Sequence, residues 1–210
     1  MFFQKNNKES DNHEIWGCHS LFVDLYKFRM KVSLKYFGVA FLIWVVGAMA
    51  GVVLSTSNAD GSFNTDHGIE QDIVKALSSD NNVKAFILIA SNNLKVAAIN
   101  IIGGVLFGIP IVLSMLFNGF AFGSTYSQLY SAGFSLDFMA KYTLPHSFEL
   151  VAIWWSAMIG FMIARKLILI IRKHQMPTIN EYKLLIINIL TVCCVIVLAA
   201  FVEVFITVNL

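Results

Sequence analysis

The stretch KAFILIASNNLKVAAINIIGGVLFGIPIVLSMLFNGFAFGSTYSQLYSAGF, residues 84–134, decides how many long helices the chain forms. It is apolar over most of its length, so it could form one helix with polar flanks or two helices joined by a tight turn. Gly108 and Pro110 lie together in its middle, within the sequence FGIP. Proline disfavours the helical conformation at the residue before it and interrupts a helix. A turn, if there is one, is therefore expected at 107–110.

The composition of the whole chain is that of an integral membrane protein. Of its 210 residues, 57% are hydrophobic and 13% are charged, with 18 phenylalanines and only 3 prolines. Such a composition is too apolar for an ordinary soluble domain of this length. The predicted fold class is all-α, a polytopic bundle of transmembrane helices. The formal net charge of +2 is too small to favour a nucleic-acid partner.

Apolar runs on both sides of the central stretch predict further transmembrane helices. Residues 36–54 contain no charged residue and can cross a hydrocarbon core of about 30 Å at about 1.5 Å per residue. With the central stretch counted as two helices, the predicted spans are 36–54, 85–107, 110–130, 148–171 and 184–208. Residues 55–84 then form a loop, and residues 1–35 form an N-terminal segment.

The basic residues decide between one and two crossings in the central stretch. They cluster before the first span and after the fourth: Lys27, Arg29, Lys31 and Lys35, then Arg165, Lys166, Arg172 and Lys173. Because positive residues in short loops stay cytoplasmic, both clusters lie inside, and the acidic loop 55–84 lies outside. The central stretch must then cross twice. We expect five spans, with the N-terminus cytoplasmic and the C-terminus outside.

Small residues recur at four-residue spacing on the first four spans. Stripes of this kind let helix backbones approach closely in a membrane. The residues predicted to pack in this way are Gly47, Gly51, Gly104, Gly108, Gly119, Gly123, Ser156, Gly160 and Ala164. The fifth span has no comparable stripe. We therefore expect the first four helices to form a tight bundle and the fifth to be peripheral.

The N-terminal segment has two interpretations. Leu21, Phe22, Leu25 and Phe28 fall on one helical face beside basic residues, which is typical of an amphipathic helix lying on an anionic membrane surface. A solvated linker with an ordinary positive flank would have the same charges. The sequence leaves both interpretations open.

Polar residues within the spans are predicted to meet in the outer half of the membrane. The candidates for this polar intramembrane cluster are Asn93, Lys95, Asn118, His146, Glu149 and Glu203. Lys95 is the expected charge partner of Glu149 or Glu203. Since lysine is costly at bilayer depth, we expect residues 84–92 to lie flat on the membrane and to leave Lys95 near the interface.

His146 and Glu149 can be explained in three ways. They can sit at the interface in the first turn of a helix, where the helix dipole favours a glutamate. They can belong to a structural polar network, or they can form a proton relay or metal site. His-x-x-Glu supplies only two ligands, so no metal site is predicted. The sequence also lacks the common nucleotide-binding and hydrolase motifs, so neither an enzyme nor a cofactor is expected.

Two segments resemble the stage II sporulation protein M family of prokaryotic membrane proteins. They are SNNLKVAAINIIGGVLFGIPIVLSMLFNGFAFG and, further along, LPHSFELVAIWWSAMIG. The resemblance covers roughly residues 35–208. It is most specific at Asn93, Gly104, Asn118, Gly119, Gly123, Pro145, His146, Glu149 and Gly160. Ser147 stands where the family usually has glycine.

The resemblance implies a role in the cell envelope. The family's namesake is similar to a noncatalytic scaffold that recruits peptidoglycan-degrading partners during spore formation. We therefore expect a membrane scaffold whose partners are lipids and other membrane or cell-wall-remodelling proteins, and the sequence leaves a homo-oligomer open. The alternative is a permease or channel subunit that moves protons or a small solute through the polar cluster.

Overall fold

The described part of the protein consists of five long helices. The computed structural model describes residues 33–56 and 81–207, and these residues form helices and no strand. The helices are α1 (Ser33–Thr56), α2 (Asn82–Gly103), α3 (Ile109–Ser131), α4 (Leu136–Lys173) and α5 (Ile179–Val202). Each contains a segment long and apolar enough to cross a membrane, which in α4 is His146–Lys173. The predicted all-α bundle of five spans is confirmed. The proposed amphipathic helix and most of the outer loop lie outside the described residues.

Contacts between the helices give their relative directions. Gly47 on α1 packs against Leu116 on α3, and Gly51 packs against Phe120, so the residue numbers rise together and the two helices are parallel. Between α2 and α4, Asn100 contacts Ser156 and Gly104 contacts Gly160. These residue numbers also rise together, so α2 and α4 are parallel. This arrangement is the one expected when successive helices cross the membrane in alternating directions.

A tight turn joins α2 to α3. Helix α2 ends at Gly103, and the N–H of Gly108 donates to the carbonyl of Gly103 at 3.0 Å. Gly108 has a φ of 88°, a left-handed conformation that favours glycine, and Pro110 follows in the first turn of α3. The turn therefore lies where the glycine and proline predict it, but α2 stops earlier than residue 107. Gly108 is part of this turn and does not belong to the predicted stripe of small residues on α2.

The beginning of α2 differs from the sequence-based expectation. Asn81 caps the helix, its side chain accepting a hydrogen bond of 3.1 Å from the N–H of Lys84. From Asn82 the helix continues without a break through residues 84–92. These residues are therefore part of the same helix as Asn93, and they do not form a separate segment lying flat on the membrane.

Glycines allow α1 and α3 to touch through their backbones. A Cβ atom at Gly119 would collide with the carbonyl oxygen of Trp44, and one at Gly123 would collide with that of Ala48. Beyond this contact, the hydroxyl groups of Ser55 and Ser124 lie 2.7 Å apart. Close backbone approach of this kind gives van der Waals contact where lipid removes the hydrophobic drive for helix association.

Helix α5 is not peripheral. Val192 and Ile196 are buried in one apolar cluster with Ala97 of α2 and Ile159 of α4. Further along, Ala200 and Val204 pack against Ala85, Ile89 and Ala90 of α2. Apolar side chains, rather than a stripe of small residues, pack α5 into the groove between α2 and α4. A sequence pattern of small residues therefore could not predict this packing.

The connection between α4 and α5 is held by polar contacts. Thr178 and Glu181 form a capping box at the start of α5. The same glutamate accepts a hydrogen bond of 2.9 Å from Nζ of Lys166, on α4. Contacts of Lys166 with Glu181 and of Trp155 with Asn188 run in opposite residue order, so α4 and α5 are antiparallel.

Candidate functional site

Three ionisable side chains meet where the beginning of the α4 span faces the end of α5. Nδ1 of His146 lies 3.8 Å from Oε2 of Glu149 and 3.4 Å from Oε2 of Glu203. His146 and Glu149 are one helical turn apart on α4, and the antiparallel packing of α5 brings Glu203 to them. We call these three residues the His-Glu-Glu cluster. One potential ligand atom from each lies within 4.8 Å of the others.

The carboxyl groups of the cluster are largely removed from solvent. The side chain of Glu149 is 9% exposed and that of Glu203 is 16% exposed, whereas that of His146 is 30% exposed. Oε1 of Glu149 and Oε2 of Glu203 are buried and receive no hydrogen bond from the described part of the chain. Asn93 of α2 lies beside the Glu149 carboxyl group. The cluster thus presents two buried acceptor atoms with unused capacity.

The cluster lies at the end of α4 and α5 that is opposite to their connection. Glu149 lies about 24 Å from the basic residue Arg165 along α4, at about 1.5 Å per residue, so the cluster is far from the basic end of that helix. Glu203 begins a π-helical turn, Glu203–Thr207, that follows α5. Turns of this type are rare and occur frequently at functional sites.

Lys95 does not join the cluster. Its side chain is exposed, and among the described residues no ion pair links it to Glu149 or Glu203. Successive helical residues turn by about 100°, so Lys95 points about 200° away from Asn93, which faces Glu149. The expected lysine partner is replaced by the imidazole of His146.

Asn118 also lies apart from the cluster. Its amide donates a hydrogen bond of 2.8 Å to the carbonyl of Ser114, one turn earlier on α3. A local bond of this kind satisfies a polar side chain without a partner helix. Of the six residues predicted to form the polar cluster, the fold brings together Asn93, His146, Glu149 and Glu203.

A second polar contact, between Asn100 and Ser156, was missed by the sequence analysis. Both residues are completely buried, and Nδ2 of Asn100 donates to Oγ of Ser156 at 2.8 Å. Asn100 follows Asn93 by seven residues, as Ser156 follows Glu149, so the two pairs lie two helical turns apart along the same α2–α4 seam. This shared spacing was the signal in the sequence that could have identified Asn100.

The chemistry available at the His-Glu-Glu cluster is proton or cation binding. An imidazole can accept a proton or ligate a metal, and two carboxylates can accept hydrogen bonds or ligate a cation. The cluster lies within segments that qualify as membrane spans, where ionisable groups are rare and usually functional.

Comparison with known proteins identifies the family of the chain. A family model described as stage II sporulation protein M matches residues 33–208, which include all the helices described above. An uncharacterized protein of Methanocaldococcus jannaschii is 35% identical over 126 residues, covering 57% of this chain and 68% of the relative. No solved structure matches the chain. The chain is a multi-pass membrane protein and belongs to the stage II sporulation protein M family.

Proposed function

We propose that this protein is a noncatalytic membrane scaffold that recruits or positions partners in cell-envelope remodelling. The observation that carries the proposal is the backbone-to-backbone packing at Gly119 and Gly123 and at Gly104 and Gly160. Contacts of this kind have no flexible side chain between the helices that could adjust when they move. A bundle joined in this way holds its outer surfaces in a fixed arrangement, as a scaffold requires.

The outward faces of the bundle suit contact with lipids and with other membrane proteins. On α1, Leu42, Val46, Met49 and Val53 are exposed along one face. In a membrane such residues face acyl chains or the apolar surface of a partner helix. Membership of the family adds the resemblance to a scaffold of peptidoglycan-degrading enzymes. We place the protein in the plasma membrane of a prokaryote, with its N-terminus in the cytoplasm.

The experiment that tests the scaffold role is a crosslinked pull-down from native membranes. The expected result is capture of membrane or cell-wall-remodelling proteins with the wild-type chain. Gly119→Leu should reduce this capture because its side chain would push α1 away from α3. Gly38→Leu is a matched control on α1, since a Cβ atom at Gly38 has no neighbour within 4 Å. Equal capture by wild type and by an untagged control membrane would contradict the proposal.

A second function, a permease or channel subunit for protons or a small solute, is favoured by one observation. His146, Glu149 and Glu203 face one another within the spans. Reconstituted liposomes separate the two functions. A scaffold gives no flux of protons or ions with wild-type protein. Flux that is present in wild type and abolished by His146→Ala or Glu149→Ala would establish the permease and overturn the scaffold.

A further inference from the structure

We propose that the His-Glu-Glu cluster is a binding site for one divalent transition-metal ion, with zinc as the natural probe. The sequence pattern His-x-x-Glu offers two ligands, and the fold adds a third from Glu203 at the other end of the chain. One imidazole and two carboxylates match the ligand types that bind zinc in proteins. The inference stands whether the protein is a scaffold or a permease.

The distances within the cluster fit a metal ion. Ligand atoms of a tetrahedral zinc site lie about 3.3–3.5 Å apart, because each bond to the metal is about 2.0–2.1 Å long. Nδ1 of His146 is 3.4 Å from Oε2 of Glu203 and 3.8 Å from Oε2 of Glu149. Small rotations of the side chains would bring both distances to the tetrahedral value, and the two carboxylate ligand atoms lie within 4.8 Å of each other. Water can complete the coordination on the side where His146 is 30% exposed.

The buried carboxylate oxygens favour the binding of a cation. Glu149 is more than nine-tenths buried, and its Oε1 atom receives no hydrogen bond from the described residues. Oε2 of Glu203 is also buried without a hydrogen bond, and Nδ1 of His146 lies 3.4 Å from it. Buried carboxylate oxygens without a partner are costly, and more so at membrane depth. A metal ion held by both oxygens of Glu149 and by Oε2 of Glu203 would supply the partner that Oε1 of Glu149 lacks.

The charges of the cluster also fit a divalent ion. Among the described residues, no lysine or arginine forms an ion pair with either carboxyl group. With a protonated imidazole the cluster would carry two negative charges and one positive charge. With a neutral imidazole and a divalent metal ion the charges balance. Asn93, beside Glu149, would orient that carboxylate from outside the ligand set.

The imidazole selects the class of metal. Magnesium and calcium prefer sites made only of oxygen ligands, whereas imidazole suits zinc, iron, nickel and copper. A site with one nitrogen and two carboxylates therefore favours a divalent transition metal over the alkaline-earth ions. Zinc has no redox chemistry, so it can occupy the site as a structural ion that joins α4 to α5.

The test measures metal bound to the full chain purified in detergent without a polyhistidine tag. Protein stripped with chelator is loaded with Zn²⁺, passed through a desalting column and analysed for metal and protein. The expected result is about one zinc per chain. His146→Gln, Glu149→Gln and Glu203→Gln should each weaken zinc binding by about tenfold or more, because each removes a ligand. Glu181→Gln, which removes a carboxylate elsewhere on α5, should bind zinc as the wild type does.

A spectroscopic measurement on the wild type keeps the test informative where a variant does not fold. Co²⁺ in place of Zn²⁺ should give the visible absorption of a tetrahedral or five-coordinate site, and this absorption should disappear when Zn²⁺ is added. Wild-type protein that is monodisperse yet retains no zinc would overturn the proposal. Equal zinc retention by wild type, Glu181→Gln and all three cluster variants would overturn it as well, because the metal would then be bound elsewhere.

Discussion

Nδ2 of Asn100 lies 2.8 Å from Oγ of Ser156, and this hydrogen bond joins two parallel helices, α2 and α4, at a completely buried position. The hydroxyl of Ser156 in turn donates to the carbonyl of Ile153 at 2.6 Å. The contact lies between the His-Glu-Glu cluster and the backbone contact of Gly104 with Gly160. It fixes the register of the two helices that, with α5, surround the candidate site.

Removing the hydroxyl of Ser156 should destabilise the bundle. We expect Ser156→Ala to lower the free energy of unfolding by about 1–2 kcal/mol, since the buried amide of Asn100 loses its close acceptor. A double-mutant cycle with Asn100→Ala should give a coupling energy of about 0.5–1.5 kcal/mol. The measurement is unfolding in mixed detergent micelles, followed by tryptophan fluorescence.

Asn118→Ala is the matched control for this cycle. Its amide bonds to its own helix at Ser114, so the substitution should show no coupling to Ser156→Ala. Coupling of equal size for Asn100 and Asn118 would contradict the assigned contact.

A methyl group at Gly160 should disturb the α2–α4 contact. In Gly160→Ala the new Cβ would collide with the carbonyl oxygen of Asn100, which is backbone and cannot rotate away. We expect a loss of about 1–3 kcal/mol, the usual cost of overpacking. In Gly38→Ala the Cβ meets nothing within 4 Å, and helix propensity should make it neutral or stabilising by up to about 1 kcal/mol. Thermal denaturation read by size-exclusion chromatography compares the two, and equal melting temperatures would refute the close contact.

The parallel arrangement of α1 and α3 can be checked by disulfide formation. The hydroxyl oxygens of Ser55 and Ser124 are 2.7 Å apart, close enough for a cysteine pair to adopt disulfide geometry. In a chain whose native cysteines, Cys18, Cys193 and Cys194, are replaced by alanine, Ser55→Cys with Ser124→Cys should oxidise to an intramolecular bond. Mass spectrometry of proteolytic fragments detects it.

The control for this crosslink places the second cysteine at Ser114. That position lies about 15 Å from Ser124 along α3, at about 1.5 Å per residue. The pair Ser55→Cys with Ser114→Cys should stay reduced. Preferential crosslinking of this control pair would show that α1 and α3 are antiparallel.

The two polar contacts at the start of α5 should differ in strength. Lys166 and Glu181 form an ion pair of two partly exposed side chains, so Lys166→Ala should change the free energy of unfolding by no more than about 1 kcal/mol. Thr178→Ala removes the hydroxyl that caps the helix and should cost about 1 kcal/mol, in a range of about 0.5–2 kcal/mol. Raising the salt concentration should weaken only the first contact. Denaturation of both variants at low and high salt tests this difference.

The number of helices and the position of the central turn could be predicted because they depend on local chemistry. Basic clusters require two crossings in 84–134, and Gly108 with Pro110 provides the turn. Rotation about the helix axis was harder to predict. Asn93 and Lys95 are close in sequence, yet Asn93 lies beside the Glu149 carboxyl group and Lys95 points away from it.

Long-range packing accounts for the other differences. The burial of α5 depends on ordinary apolar residues such as Val192 and Ile196, which carry no distinctive pattern. Asn118 was predicted to join the polar cluster because of its depth along the helix, but its side-chain amide donates a hydrogen bond to the carbonyl of Ser114 in its own helix. Asn100, which lacked a recognisable motif, makes the buried contact with another helix.

The parallel pairing of α2 with α4 has a consequence for biosynthesis. Because α3 lies between them in the chain, α2 leaves the ribosome well before its partner is made. During that interval the amide of Asn100 has no serine to bond with, in a bilayer that offers no water in its place. We therefore expect α2 to be fully stabilised in the bilayer only after α4 is complete, so a chain truncated before Ser156 should be less stable in the membrane than the full chain.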